Sequence, residues 1–128
     1  MKAKGRHEIL IEKYIAAYNA FDLESMESLL HPDVKFENIA DGEVNASAKG
    51  LEEFMALARQ GAALFSFRKQ EILGMTQEED RVDVKIAFSA VLKQDLPGGP
   101  KAGETLSLKG RTEFVFQDGK IRRITDIS

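Results

Sequence analysis

Few side chains in this sequence could carry chemistry, and their types narrow what that chemistry would be. The chain has no cysteine, which excludes thiolate catalysis, Cys-ligated zinc and a disulfide framework. Its two histidines, His7 and His31, are too few for a multi-histidine metal site, and no metal is expected. His31 stands before Pro32 and reads as the solvent-exposed end of a helix, while His7 lies close to the chain start. What remains is an amide, Asn38, two phenols, Tyr14 and Tyr18, and 21 Asp and Glu carboxylates among which composition does not choose. Such groups suit general acid–base catalysis, in which a carboxylate exchanges a proton while amide or phenol donors polarise an oxygen. No cofactor is expected. Pro97-Gly98-Gly99-Pro100 lacks the strand–loop–helix context and the lysine of a phosphate-binding loop.

The elements that must position these residues follow from hydrophobic period. Over residues 6–20, Leu10, Tyr14, Ala17, Tyr18 and Phe21 recur at helical spacing, so both tyrosines sit on the apolar stripe of a first helix. Asp22 reads as the N-cap of a short second helix carrying Leu23, Met26, Leu29 and Leu30, which Pro32 ends. Val34 and Phe36 then alternate with charged residues as in a half-buried strand, and Asn38 falls on their inward face. Residues 41–50 read as a loop, and Leu51, Phe54, Leu57, Ala58, Gly61, Leu64 and Phe65 as a third helix. A poorly patterned strand over residues 67–75 precedes a clean one with Val82, Val84, Ile86, Phe88, Ala90 and Leu92 inward. After the loop LPGGPKAG, Leu106, Leu108, Thr112, Phe114 and Phe116 form the inward parity of the next strand. Asp118-Gly119 makes a two-residue turn, and residues 121–127 form the last strand. Helices gathered first and antiparallel strands last predict an α+β domain with helices on one face of a curved sheet.

The direction of Asp126 depends on that final hairpin. With strict pairing, Gln117 faces Lys120, and counting outward places Asp126 opposite Arg111 on the face away from Phe114, as half of a weak ion pair. A β-bulge in either strand switches the carboxylate inward. The basic run Lys120, Arg122, Arg123 reads as a solvated strand edge that resists edge pairing.

Composition bounds the class. The 128 residues predict one domain over residues 1–128, and 43% hydrophobic residues are enough to form a core. A net charge of -3 with interspersed signs argues against a nucleic-acid partner. The apolar run near the start is too short for a signal-peptide core, and no stretch approaches the roughly 20 apolar residues of a membrane span, so the expectation is a cytoplasmic protein without a membrane partner.

The stretch KYIAAYNAFDLESMESLLHPDVKFEN, the Lys49-Gly50 that opens the third helix and the ending KGRTEFVFQDGKIRRITDIS resemble small SnoaL-like members of the nuclear transport factor 2-like superfamily, from residue 6 onward. The resemblance implies a cone: a strongly bent antiparallel sheet wrapped around three helices, with an apolar cavity between them. The same cone carries ketosteroid isomerases, polyketide cyclases, limonene epoxide hydrolases and dehydratases as well as non-catalytic modules, so it does not name a function.

Carried over residue by residue, the oxyanion-binding tyrosine of ketosteroid isomerase falls on Tyr14, its catalytic aspartate on Asn38, and its protonated carboxyl donor near Thr112. An amide cannot take up a proton at neutral pH, so isomerisation by that mechanism is disfavoured. Limonene epoxide hydrolase is similar at Phe36-Glu37-Asn38 and at Asp126, but its water-holding tyrosine is Phe36 here. Its Arg-x-Asp pair is also missing, since Arg81-Val82-Asp83 opens its strand and the deeper positions hold Ile86 and Phe88. The resemblance turns Ile124, Asp126 and Ser128 toward the cavity. There a desolvated carboxylate would have a raised pKa. The expected site is therefore Asp126, Asn38 and Tyr14 as the chemical group, with Tyr18, Phe36, Phe54, Ile86, Phe88, Thr112, Phe114 and Ile124 contacting a small apolar molecule with a polar handle. A non-catalytic pocket or dimerisation module is the alternative, and a homodimer is implied by resemblance.

Overall fold

The first apolar stripe folds as helix α1 (Arg6–Asn19), which buries Ile11, Tyr14, Ile15 and Ala17. The structure, a computed structural model, describes residues 5–128. Asp22 caps α2 (Leu23–Ser28), its side chain accepting from the Ser25 backbone N–H at 3.2 Å. Strand β1 (Leu30–Ala40) follows at once, so α2 ends before Pro32 rather than because of it. The proline lies inside β1, where the pairing with a neighbouring strand skips from Leu30 to Lys35 and no N–H is required of it. His31 is accordingly on a strand and its side chain is only 14% exposed, with Nε2 3.6 Å from Asp118.

Residues 41–50, expected as a loop, contain a tight turn and β2 (Glu43–Lys49), which pairs antiparallel with β1. Helix α3 (Leu51–Leu64) buries Phe54 and Met55. Four long strands complete the chain: β3 (Phe65–Glu78), β4 (Arg81–Leu92), β5 (Thr105–Gln117) and β6 (Lys120–Ile127). They form one curled six-stranded sheet in the order β2-β1-β6-β5-β4-β3. The sheet is mixed rather than purely antiparallel, because β1 and β6 run parallel.

This order corrects the reading of the basic run. The edges are β2 and β3, while β6 lies in the interior between β1 and β5. Its cations serve neighbouring backbone and side chains instead: Lys120 donates to the Ser28 carbonyl at 2.6 Å, Arg122 to the Asp33 carbonyl, and Arg123 to Glu37 at 2.6 Å.

The core lies where the three helices meet the concave face. Ile11, Tyr14 and Ile15 of α1 and Met26 of α2 pack with Val82, Val84, Phe114, Phe116, Ile121 and Ile124 of the sheet. At the far end of β5 the inward parity is not covered. Leu108 is 55% exposed because β6 stops opposite Arg111, leaving that end of β5 with β4 as its only strand neighbour.

Candidate functional site

Asp126 faces inward because β6 carries a bulge. Gln117 pairs with Lys120 and Phe116 with Ile121, but Val115 pairs with Arg123, so Arg122 is the extra residue. Every position beyond it moves by one, and Asp126 pairs with Thr112 instead of Arg111. Arg111 points to the outer face, held by Asp83 at 3.0 Å and Glu113 at 2.8 Å. On the other side of β6, the parallel ladder pairs Asp126 with Asn38. Three adjacent strands thus align Asn38, Asp126 and Thr112 in one row.

That row forms part of the lining of a cavity of about 430 Å³ between the sheet and the helices. Tyr14 and Tyr18 enter it from α1, Phe54 and Leu57 from α3, Phe36 and Asn38 from β1, Phe114 from β5, and Ile124 with Asp126 from β6. Two expected contacts are not in the lining. Ile86 belongs to the packed core, and Phe88 sits against the Tyr18 and Phe65 rings at centroid distances of 6.5 and 5.9 Å.

The electrostatics of the lining are uneven. The Thr112 hydroxyl donates to Asp126 Oδ1 at 2.7 Å, and no cation among the described residues forms an ion pair with this carboxylate. Desolvation pushes the Asp126 carboxyl up to about 6, only partly opposed by the Thr112 hydrogen bond. Burial raises the Tyr14 phenol above its ordinary value, and the Asp126 charge adds to the effect, so Tyr14 keeps its proton and remains a donor. The Asn38 amide donates one hydrogen bond to Asn45 at 2.7 Å. The second amide hydrogen and the carbonyl oxygen leave Asn38, a lining residue, with further hydrogen-bonding capacity.

Sequence reasoning missed Arg68 and Gln70, both in the lining from β3. Arg68 is 3% exposed. Its Nε donates to the Tyr18 carbonyl at 2.8 Å, and its guanidinium carbon lies 3.7 Å from the centre of the Tyr18 ring and 4.4 Å from that of Phe21. Next to it, the Asn19 side chain exchanges two hydrogen bonds with the Gln70 backbone, at 3.1 and 2.7 Å, fixing the end of α1 against β3. Bulges in the β3–β4 pairing at Phe65/Phe67 and Ile72/Gly74 break the two-residue period, so no alternation marks Arg68 as inward. Among the described residues there is no group of three His, Cys, Asp or Glu that could hold a metal ion.

A curled α+β sheet closed by three helices around a mixed polar and apolar cavity defines a class of small-molecule folds. Within that class the chain belongs to the SnoaL-like domain family, whose model matches residues 11–124. A candidate polyketide cyclase from Xanthomonas campestris pv. campestris superposes with a TM-score of 0.81 at 24% identity, covering 96% of this chain and 90% of that one. Another from Pseudomonas putida KT2440 gives 0.75 at 26% identity, covering 97% and 91%. An uncharacterised cystatin-fold protein from Novosphingobium aromaticivorans gives 0.75 at 20% identity, covering 98% and 100%. No curated protein sequence matches the chain. No helix of the described residues is long and apolar enough to cross a membrane.

Proposed function

We propose that the chain is a cofactor-independent acid–base enzyme acting on a small, largely apolar carbonyl compound. The Asp126 carboxylate takes a proton from the carbon next to the carbonyl, and the electron pair moves onto the carbonyl oxygen. Tyr14 O–H and Asn38 N–H stabilise the enolate that forms. The enolate is then protonated or attacks a second carbon centre, as a cyclase reaction requires. The observation that carries this reading is a cavity-lining carboxylate with no ion-pair partner among the described residues, its pKa raised to about 6, in the same lining as a phenol that stays protonated. The polyketide cyclase designation of two structural neighbours supports a carbonyl-rich substrate.

A second reading, a binding pocket without catalysis, is favoured by the aromatic wall of Phe36, Phe54 and Phe114. One experiment separates them: hydrogen–deuterium exchange at the activated carbon of 2-tetralone, followed by proton NMR in D₂O. Catalysis predicts exchange above the buffer rate, rising with pH through a midpoint near 6 and lost in Asp126→Asn. Binding of the ketone with exchange at the buffer rate would sink the enzymatic reading. Self-association, implied by family resemblance, is checked by sedimentation of the same sample.

A further inference from the structure

Arg68 is a buried charge with unmet hydrogen-bonding capacity. Its Nη2 is fully buried and has no hydrogen-bond partner, the one such side-chain atom among the described residues. No carboxylate among those residues forms an ion pair with it. Part of its charge has a structural explanation. The Tyr18 carbonyl it binds lies in the last turn of α1, a turn with no basic residue of its own, and a helix C-terminus carries roughly half a negative charge. That leaves the two N–H donors of Nη2 without a protein acceptor. Tyr18 and Phe21 also lie against the guanidinium, and the Tyr18 phenol is near enough to interact with it, yet neither is an anion. An unpaired buried cation is costly unless something else supplies the anion.

We propose that the ligand of this cavity is an organic anion, a ring-bearing carboxylate or a compound of that charge, whose oxygen rests on Arg68 while its apolar body lies along the aromatic wall. The proposal deepens the acid–base reading by naming its substrate class and rests on that reading for the location of the reacting carbon. Binding, however, requires no reaction. Asp126 and Arg68 are both in the lining, so the cavity offers two unlike groups, and an anionic handle that rests on Arg68 fixes which way round the molecule enters. A neutral compound of the same shape lacks that orientation and leaves Arg68 unsatisfied.

The test compares 2-naphthoate with 2-naphthamide, which share a ring body and differ in charge, by titration calorimetry on the intact chain. The wild type is expected to bind the carboxylate at least about tenfold more tightly, the scale of one hydrogen bond to a charged group. In Arg68→Met the two probes should bind alike. Because that variant also loses the cap on α1, arginine side-chain NMR on the wild type gives an independent readout: 2-naphthoate should shift the Arg68 Nε–H signal and 2-naphthamide should not. Asp126→Asn should keep the preference, so loss of proton exchange with the preference intact indicts the base and not the anchor. Equal affinities in the wild type, no binding of 2-naphthoate at millimolar concentration, or a preference that survives in Arg68→Met would each overturn the proposal.

Discussion

Thr112 and Asp126 face each other across the β5–β6 ladder, hydroxyl to carboxylate at 2.7 Å, because β6 has one more residue than β5 between the hairpin and this pair. The hydrogen bond stabilises the charged carboxylate, and desolvation outweighs it. The balance of these two effects sets the pH at which the carboxyl gives up its proton.

Replacing Asp126 by Asn should abolish catalysed exchange, a loss of at least about a hundredfold, while raising stability at neutral pH. A carboxyl whose pKa is raised in the folded state binds its proton more tightly there. It therefore favours folding fully below the ordinary value near 3.8, and that contribution is lost as pH rises to about 6. Asp126→Asn removes this penalty. Chemical denaturation at pH 8 should show a gain on the order of 1–2 kcal/mol that disappears by pH 4.

Thr112→Val removes the donor that holds the Asp126 pKa down. The midpoint of the exchange-against-pH curve should move upward from about 6, at a stability cost of about 1 kcal/mol. An unchanged midpoint in the NMR titration would show that this hydrogen bond does not tune the carboxylate.

Asn38→Asp would place a second carboxylate directly beside Asp126, since the two positions are paired in the parallel ladder. Two like charges there should titrate as a coupled pair, with one proton retained well above pH 6. The variant should be less stable at pH 8 than at pH 5 by thermal unfolding, more steeply than the wild type.

Gly110→Ala tests how tightly the end of β6 is held. A Cβ at Gly110 would lie 2.5 Å from the Ile127 carbonyl oxygen, a backbone atom next in sequence to Asp126. The substitution should cost about 1–3 kcal/mol and, on the proposed acid–base reading, lower exchange, because relief of the clash displaces the strand that carries Asp126. Unaltered melting temperature and rate would show that β6 yields without consequence.

The fold was largely legible in the sequence, and the cavity row less so. Helical spacing placed Tyr14 and Tyr18 on the buried stripe of α1, and alternation from Val34 through Phe36 placed Asn38 inward. Strand β2 was hidden because it is an edge strand of Glu43, Asn45, Ser47 and Lys49 alternating with Val44 and two alanines, too little apolar bulk to signal burial. The orientation of Asp126 turned on a bulge at Arg122, a residue type that marks no bulge. Arg68 was hidden by two further bulges in β3, which put a charged side chain on the inward face where the period gave no reason to look.

Strand β6 is the last of the six to be synthesised, yet it sits between β1 and β5. Until it emerges from the ribosome, those two strands each present an open hydrogen-bonding edge, and the carboxylate of the cavity row is absent. The contacts that close the sheet and the contacts that arm the cavity are therefore made in the same late event. A chain interrupted shortly before residue 120 would lack Asp126 and would also expose two self-adhesive edges that the finished sheet covers. Nascent chains of this protein should need protection from one another up to the moment at which the cavity row is complete.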